Sequence, residues 1–571
     1  MKKRILALLL AGAMTLSMVA CSNNAEQPEN TDKTPGTSNT SNPGTPSDKT
    51  DEPAFEGVRE LVVGLPGDIK TWDPWGSFST GVQNMRSLVF QTLTIRLPDQ
   101  VNGGSDLYYV LAESVENPSK NVYVVKLRDG IVDSAGNPFT AEDAMFSLQG
   151  YKDQWGGDQC AIIDSMEEID ELTFKVNAVP SLDTIGAFED MCNAICMVTK
   201  EAYEASPDKM ATAPVGTGPW VLGEHASGSY YTFQKADSFW NAAANESKDP
   251  AAGYCSMWDD TNLDVLRYEI ITDTATMAIA LESGEIDIAR EIGIEDKALF
   301  ESNDDFAVFG APDASQTVAF NVSKNSPFEN YNLRMAVAHA IDAETCLMAA
   351  VDGDGEVAKA WGHPLFKDYQ QAWNDRDNFG FDLAKAKDYL AKWEKETGKK
   401  AADLHLVLLY QNGDLDAATC LAIQSNIGQL TGNPNTVEIK GLDRGTVKEA
   451  RANATEFDMY LMNGQVVTRS TCSYEWVSYC SNSRSGYNIF HTDDAQLEQL
   501  MLNAINLETT SDKAFQEFHD YIDDNCMAKS LFFANAYGAA ASWIGNLEWS
   551  VGGKNHLNVG AFTYDWNASG K

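Results

Sequence analysis

The chain has 571 residues, 43% hydrophobic and 10% aromatic, and a formal charge of −41 from 83 acidic against 42 basic side chains. That length exceeds one ordinary core and calls for several lobes, and the composition is globular. A surface this acidic repels phosphate backbones and anionic headgroups, which excludes nucleic acid as a partner and excludes electrostatic docking on membranes.

At the start of the chain, Lys2, Lys3 and Arg4 precede the apolar run Ile5 to Ala20. Its flanks and length fit a secretory signal better than a span of about 20 residues. The run ends in "SMVAC", which resembles the lipobox of bacterial lipoproteins. That resemblance implies a signal peptide over 1–20 and lipidation of Cys21; a signal peptide cut elsewhere is the alternative. Residues 21–54 are rich in Pro, Gly, Ser and Thr and bury too little apolar surface to offset their ordering entropy, so a flexible tether is expected. No later segment offers a span of about 18 uninterrupted apolar residues.

In the body, "ELVVGL" (60–65) reads as a buried strand closed by a turn. Val82, Met85, Val89 and Leu93 have helical spacing. "NVYVVKLRDGI" alternates as a strand, and Thr140 with Asp143 has the capping-box offset that opens a helix. "ELTFKV" is a strand, and "VLGEHASGSYYTFQK" alternates as one strand. Met277, Ala280 and Leu281 face inward from a helix that Gly284 ends, and "EIDIAR" follows as a strand. Leu333, Ala336, Val337, Ala340 and Ile341 form an amphipathic helix. Asp382 caps another, with Leu383, Ala386, Tyr389, Leu390 and Trp393 inward. "DLHLVLLY" and "TVEIKGL" flank a helix at 415–430, the order of a parallel unit.

Local motifs for chemistry are missing. "PVGTGPW" (214–220) lacks the lysine and hydroxyl of a phosphate loop, and no G-x-S-x-G elbow occurs. The histidines at 225, 339, 363, 405, 491, 519 and 556 show no metal-binding spacing, so neither metal nor cofactor is expected. Carboxylate pairs among 83 acids discriminate nothing. Cysteines 192 and 196 could share a helical face, and Cys472 and Cys480 bracket a loop that a disulfide could close; buried free thiols are the alternative.

Five stretches in order resemble one family: "LVVGLPGDIKTWDPWG", "LRDGIVDSAGNPFTAEDAMFSL", "APVGTGPW", "IALESGEIDIA" and "FNVSKNSPFENYNLRMAVAHAID". They are similar to the extracellular solute-binding proteins of family 5, the oligopeptide, dipeptide and nickel class that serves ABC importers. The resemblance runs from about residue 60 to about 540. It implies an α/β, two-lobed periplasmic-binding-protein-like fold (type II, cluster C) with an extra small α+β subdomain. The expected division is 55–95 lobe I, 96–210 the small subdomain, 211–312 lobe I continued, 313–530 lobe II and 531–571 the return to lobe I. Gly216 and Gly218 then shape a packed turn where the chain re-enters the first lobe. Arg334, Asp342, Glu285 and Asp287 are read as structural.

The implied function is capture of a solute, an oligopeptide first, by lobe closure without chemistry, and delivery to the permease subunits of an ABC importer. The protein is expected to be a monomer held to the outer face of the cell membrane by its lipid alone. A tethered glycosidase or peptidase, or a binder of oligosaccharide or another polar solute, is the alternative. By analogy the cleft is lined by Phe78, Ser79 and Thr80, by Gln316 and Thr317, and by the loop with Asn463, Gly464, Gln465, Val467 and Arg469. Trp361, His363, Tyr474 and Trp476 are aromatic candidates for the lid. Peptide-binding relatives carry an aspartate after the glycine-rich strand end, yet no acid lies between Asp458 and Glu475. The usual anchor for a peptide ammonium is therefore missing from that stretch, and Arg469 offers a cation instead.

Overall fold

The computed structural model describes residues 55–76, 83–98, 105–155, 159–237, 239–258, 262–376, 379–465, 471–485, 488–547 and 557–571. The leader, Cys21, the tether, Phe78, Ser79, Thr80, Val467 and Arg469 lie outside the described residues. Everything below concerns the unit Phe55–Lys571.

Two long strands, Phe306–Phe320 and Ala528–Ala541, organise the molecule. They run antiparallel at the centre of an 11-stranded sheet. Toward one end of the pair, Ala539 and Ala540 bond to Ile288–Ala289, which joins Glu60–Leu65 and Val265–Ile270 as parallel neighbours. Toward the other end, Ala314 to Phe320 bond to Met459–Gln465, which is parallel to Leu406–Gln411 and through it to Val437–Leu442. The register shifts between Pro312 and Ala314, where the pair passes from one half to the other. Alternation along these strands sends side chains to two faces. Val318, Leu408 and Leu461 face one core, while Ala319, Leu409, Tyr460 and Met462 face another.

Caps read from sequence appear as bonds. The Thr140 amide and hydroxyl both donate to Asp143 at 2.8 Å, opening helix Ala141–Trp155. Asp382 accepts from the Lys385 amide and opens Leu383–Thr397, which buries Ala386, Leu390 and Trp393 and stops at Gly398, φ 69°. Burying each large apolar side chain there contributes about 2 kcal/mol. Asp342 accepts from the Glu344 amide, Arg334 donates to the Phe328, Glu329 and Asn525 carbonyls, and Asp287 accepts from the Val62 amide and the Lys571 ammonium. The parallel strand, helix, strand unit is also found, as Leu406–Gln411, Asp414–Thr431 and Val437–Leu442.

The glycine turn serves packing. A Cβ on Gly216 would lie 2.2 Å from the Val89 carbonyl oxygen, and one on Gly218 would lie 2.2 Å from that of Leu88. The Gly218 amide donates to the Val89 oxygen at 2.9 Å. The turn thus satisfies a terminal carbonyl of helix Gln83–Val89, and only side chains without Cβ allow that approach.

Four expectations need correction. "VLGEHASGSYYTFQK" is a hairpin, Trp220–Ala226 with Tyr230–Lys235, because Gly228 at φ 75° supplies the left-handed turn residue. The strand at "EIDIAR" shortens to Ile288–Ala289. Leu93 lies beyond a helix that ends at Val89. Cys472 and Cys480 are the two ends of a helix, Cys472–Cys480, and eight helical steps set them about 12 Å apart, too far for a disulfide. All nine cysteines from Cys160 to Cys526 are buried thiols outside any disulfide.

Residues 112–178 form a separate four-stranded antiparallel sheet, in the order Ala112–Ser119, Val122–Leu127, Thr173–Ala178, Ile163–Asp170.

Candidate ligand-binding site

The register fixes where the two halves face each other. Gln465, the carboxyl end of its strand, sits opposite Ala314, while Ala289, the carboxyl end of its own strand, runs toward the middle of Ala528–Ala541. Both groups of parallel strands therefore direct their carboxyl ends at the crossing, the usual location of a ligand crevice in open α/β sheets.

Gln316 and Asn463 are direct cross-strand partners at this edge. Between them sits Asp416, on the first turn of helix Asp414–Thr431. Its carboxylate accepts from Gln316 Nε2 at 2.6 Å and Asn463 Nδ2 at 3.1 Å. Asp416 is buried, and burial pushes its carboxyl above the usual range while the two amides pull it back. A buried carboxylate held by neutral amides keeps an uncompensated charge. Gln316 Oε1 is buried there without a hydrogen-bond partner among the described residues. The two oxygen types together form an acceptor set for a cationic donor such as an ammonium.

The opposite face of the same strands carries Ser315, Thr317 and Gly464. Ser315 Oγ donates to the Gly464 carbonyl at 3.3 Å. A Cβ on Gly464 would lie 2.7 Å from Ser315 Oγ, 3.3 Å from Glu475 Oε1 and 3.7 Å from the Trp361 ring, so glycine lets these groups meet. The Trp361 and Trp476 rings pack with centroids 4.5 Å apart. Both are buried, and neither indole N–H has an acceptor among the described residues. Tyr474 packs against the apolar cores of both halves. His363 is edge-on to Phe533, and burial alone lowers its pKa to about 4.

A buried polar brace holds this aromatic wall. Asp368 accepts from the Cys472 amide at 2.9 Å and the Ser473 amide at 2.8 Å, at the start of helix Cys472–Cys480. His519 Nε2 lies 3.1 Å from Ser473 Oγ, and its ring packs against Trp373 at a tilt of 36°, centroids 4.2 Å apart. Asp368, Cys472 and His519 offer ligand atoms within 4.8 Å of one another. Burial lowers the His519 pKa to about 3 and raises the Cys472 thiol well above its ordinary value, so the imidazole and the thiol stay neutral and packed. The carboxylate oxygens of Asp368 already serve the helix amides.

The structure therefore brings together Gln316, Thr317, Asn463 and Gly464 on one strand pair, with Trp361, Tyr474 and Trp476 beside them. Gln465 ends the strand, and its side chain is not described. A separate cavity of about 220 Å³, lined by Thr94, Tyr109, Tyr123, Phe188 and Leu507 among others, lies away from the crossing.

The family model for bacterial extracellular solute-binding proteins, family 5, matches residues 106–485, more than half of the chain. The chain belongs to this family. Among related sequences, this family 5 protein is 26% identical over 303 residues to the glutathione-binding protein GsiB of Escherichia coli O1:K1 / APEC, covering 52% of this chain and 54% of the relative. The GsiB of Pectobacterium atrosepticum is 24% identical over 347 residues, covering 60% and 61%. The chain thus spans little more than half the length of the curated relatives it matches. The ABC transporter substrate-binding protein CtaP of Listeria monocytogenes has the same fold, with a TM-score of 0.70 at 19% identity over 89% of this chain and 99% of that one. So does the oligopeptide-binding protein AppA of Bacillus subtilis, solved with a nonapeptide, at 0.68 and 18% over 89% and 99%. These likenesses establish the two-lobed periplasmic-binding-protein fold. Among the described residues, no helix is long and apolar enough to cross a membrane.

Sequence reasoning missed Asp416. It is one of 83 acids, 100 positions from Gln316 and 47 from Asn463. The available signal was the parallel unit: the first turn after Leu406–Gln411 had to open at the carboxyl edge of the sheet.

Proposed function

We propose that the protein captures an extracytoplasmic solute, an oligopeptide first, between its two halves and hands it unaltered to the permease of an ABC importer. The observation that carries this reading is the buried Asp416 carboxylate, held by Gln316 and Asn463 at the edge where both groups of parallel strands converge. The acid that peptide binders place after the glycine-rich strand end is absent between 458 and 475, and Asp416 reaches the same strand end from another element. A ligand ammonium there compensates the charge that neutral amides leave open. The names of relatives point the same way: GsiB binds glutathione, and AppA holds a nonapeptide.

Gln316, Thr317, Asn463, Gly464, Trp361, Tyr474 and Trp476 line the crevice in this reading, with Phe78, Ser79, Thr80, Gln465, Val467 and Arg469 completing it. Ligand binding shifts an open and closed equilibrium about the crossing strands. The protein acts as a monomer, lipidated at Cys21, and its tether keeps it at high effective concentration near the permease.

The test is a thermal-stability panel with tetra-alanine, glutathione and maltotetraose, each solute recovered afterwards for mass spectrometry. A true ligand at 100 times its Kd adds about 2.7 kcal/mol of stability and returns with unchanged mass. Stabilisation by the sugar alone, or recovery of cleaved peptide, contradicts the reading.

A further inference from the structure

Arg290 follows the short strand Ile288–Ala289, at the carboxyl edge that faces the crossing from the other half. Its amide lies within hydrogen-bonding distance of the Gly64 carbonyl, and its own carbonyl packs against Gly538. The side chain is fully buried, and none of its three nitrogens, Nε, Nη1 or Nη2, has a hydrogen-bond partner among the described residues. The Tyr268 hydroxyl is fully buried and equally without a partner. The groups that act electrostatically on the guanidinium are Glu291, Asp313 and Tyr268. Asp313 sits at the register shift where the strands change halves.

Other buried arginines of this chain are used differently. Arg86 donates to the Pro74 carbonyl and contacts Cys196, and Arg334 donates to three carbonyls. A native fold rarely seals five guanidinium donors away from water without hydrogen bonds, because nearby carboxylate charge does not replace the lost bonds to water. Burial opposes the charge at Arg290 and lowers its pKa to about 10, which still leaves it protonated at neutral pH. The partner must then be an acceptor that the described residues do not supply.

We propose that Arg290, with the Tyr268 hydroxyl as second donor, is an oxyanion-recognition site whose natural occupant is a carboxylate of the captured solute. The planar fork of arginine matches a carboxylate with two parallel bonds, and a phenol hydroxyl donates a third. With Asp416 across the crossing, the crevice is then polarised, acceptor on one wall and cation on the other, and selects solutes bearing both an ammonium and a carboxylate. The inference rests on the solute-capture reading for the source of its anion, but the site itself can be tested separately. A free carboxylate or phosphate ion shares the same chemistry, and the experiment separates the two sources.

The dialysed full-length protein, Arg290→Met and Arg290→Lys are melted in chloride buffer alone and with tetra-alanine, tetra-alanine amide, acetate or phosphate at matched ionic strength. The parent is expected to bind tetra-alanine about ten-fold more tightly than its amide. Arg290→Met is expected to melt no lower than the parent in chloride and to lose the preference. Arg290→Lys keeps the charge but loses the fork, and is expected to retain only part of it. Should neither peptide bind while acetate or phosphate raises the melting point of the parent and not of Arg290→Met, the oxyanion site stands and the peptide reading falls. An identical response of parent and Arg290→Met to every probe overturns the proposal. So does failure of both variants to fold, which would make the guanidinium a structural element.

Discussion

Lys529 and Arg290 are cations sealed into opposite halves of the molecule, and their surroundings differ completely. The Lys529 ammonium donates to the Ala338, Ile341 and Phe379 carbonyls at 2.7, 2.7 and 2.8 Å, one acceptor for each of its three protons. Arg290 has none for its five among the described residues. Both are nearly inaccessible, so burial alone does not tell them apart. What distinguishes them is whether the fold completes the charge itself, and the incomplete charge is the one at the edge facing the other half. Asp416 resembles Arg290 in this respect, a carboxylate held only by the Gln316 and Asn463 amides among the described residues.

The comparison is sharpest where the fold does complete the group. Lys529→Met strands three buried carbonyls, and we expect a loss of about 3 kcal/mol in denaturant unfolding, against little or none for Arg290→Met. Comparable losses for both would erase the distinction.

Gly218→Ala drives a Cβ into the Leu88 carbonyl at 2.2 Å, a backbone atom that cannot swing away. A loss of about 2 kcal/mol is expected, with ligand affinity unchanged in the folded fraction.

Buried histidines give an intermediate case, groups completed in the neutral form. His519 and His363 have pKa values lowered to about 3 and about 4, below the ordinary 6.5. The unfolded chain therefore takes up protons first. Their stabilising contribution is complete above pH 6.5 and is lost as pH falls toward 4, at up to about 1.4 kcal/mol per pH unit for each group. His519→Gln should flatten this acid limb in pH-dependent unfolding, and an unaltered slope would show that other groups set it.

Asp416→Asn has a small expected effect on stability, within about 1 kcal/mol, because an amide still accepts a bond and its new N–H can meet Gln316 Oε1. Affinity for an ammonium-bearing ligand should nonetheless drop at least ten-fold, roughly the value of one charged hydrogen bond, as titration calorimetry would show.

Local features were legible in the sequence because they obey local rules. The capping pairs at Thr140 and Asp382, the helical spacing through Leu333 and Val337, and the parallel unit around Leu406–Gln411 all follow from residues within one turn or one strand of each other. The resemblance of five motifs to one family carried the overall fold. Gln316 and Asn463 were named as cleft residues from that resemblance, and the structure makes them cross-strand partners at the crossing. Asp416 and Arg290 were not legible, since what marks them is missing or long-range partnership, and spacing encodes neither. The hairpin at Gly228 was missed for a smaller reason: continuous alternation concealed a glycine that reverses the chain.

The central claim is closure of two halves about the strands Phe306–Phe320 and Ala528–Ala541 around an unaltered solute. Small-angle X-ray scattering of the full chain, with and without a peptide shown to bind, measures this directly. The account predicts a smaller radius of gyration in the bound sample, reversed when the peptide is dialysed away intact. An unchanged radius at saturating peptide would contradict it.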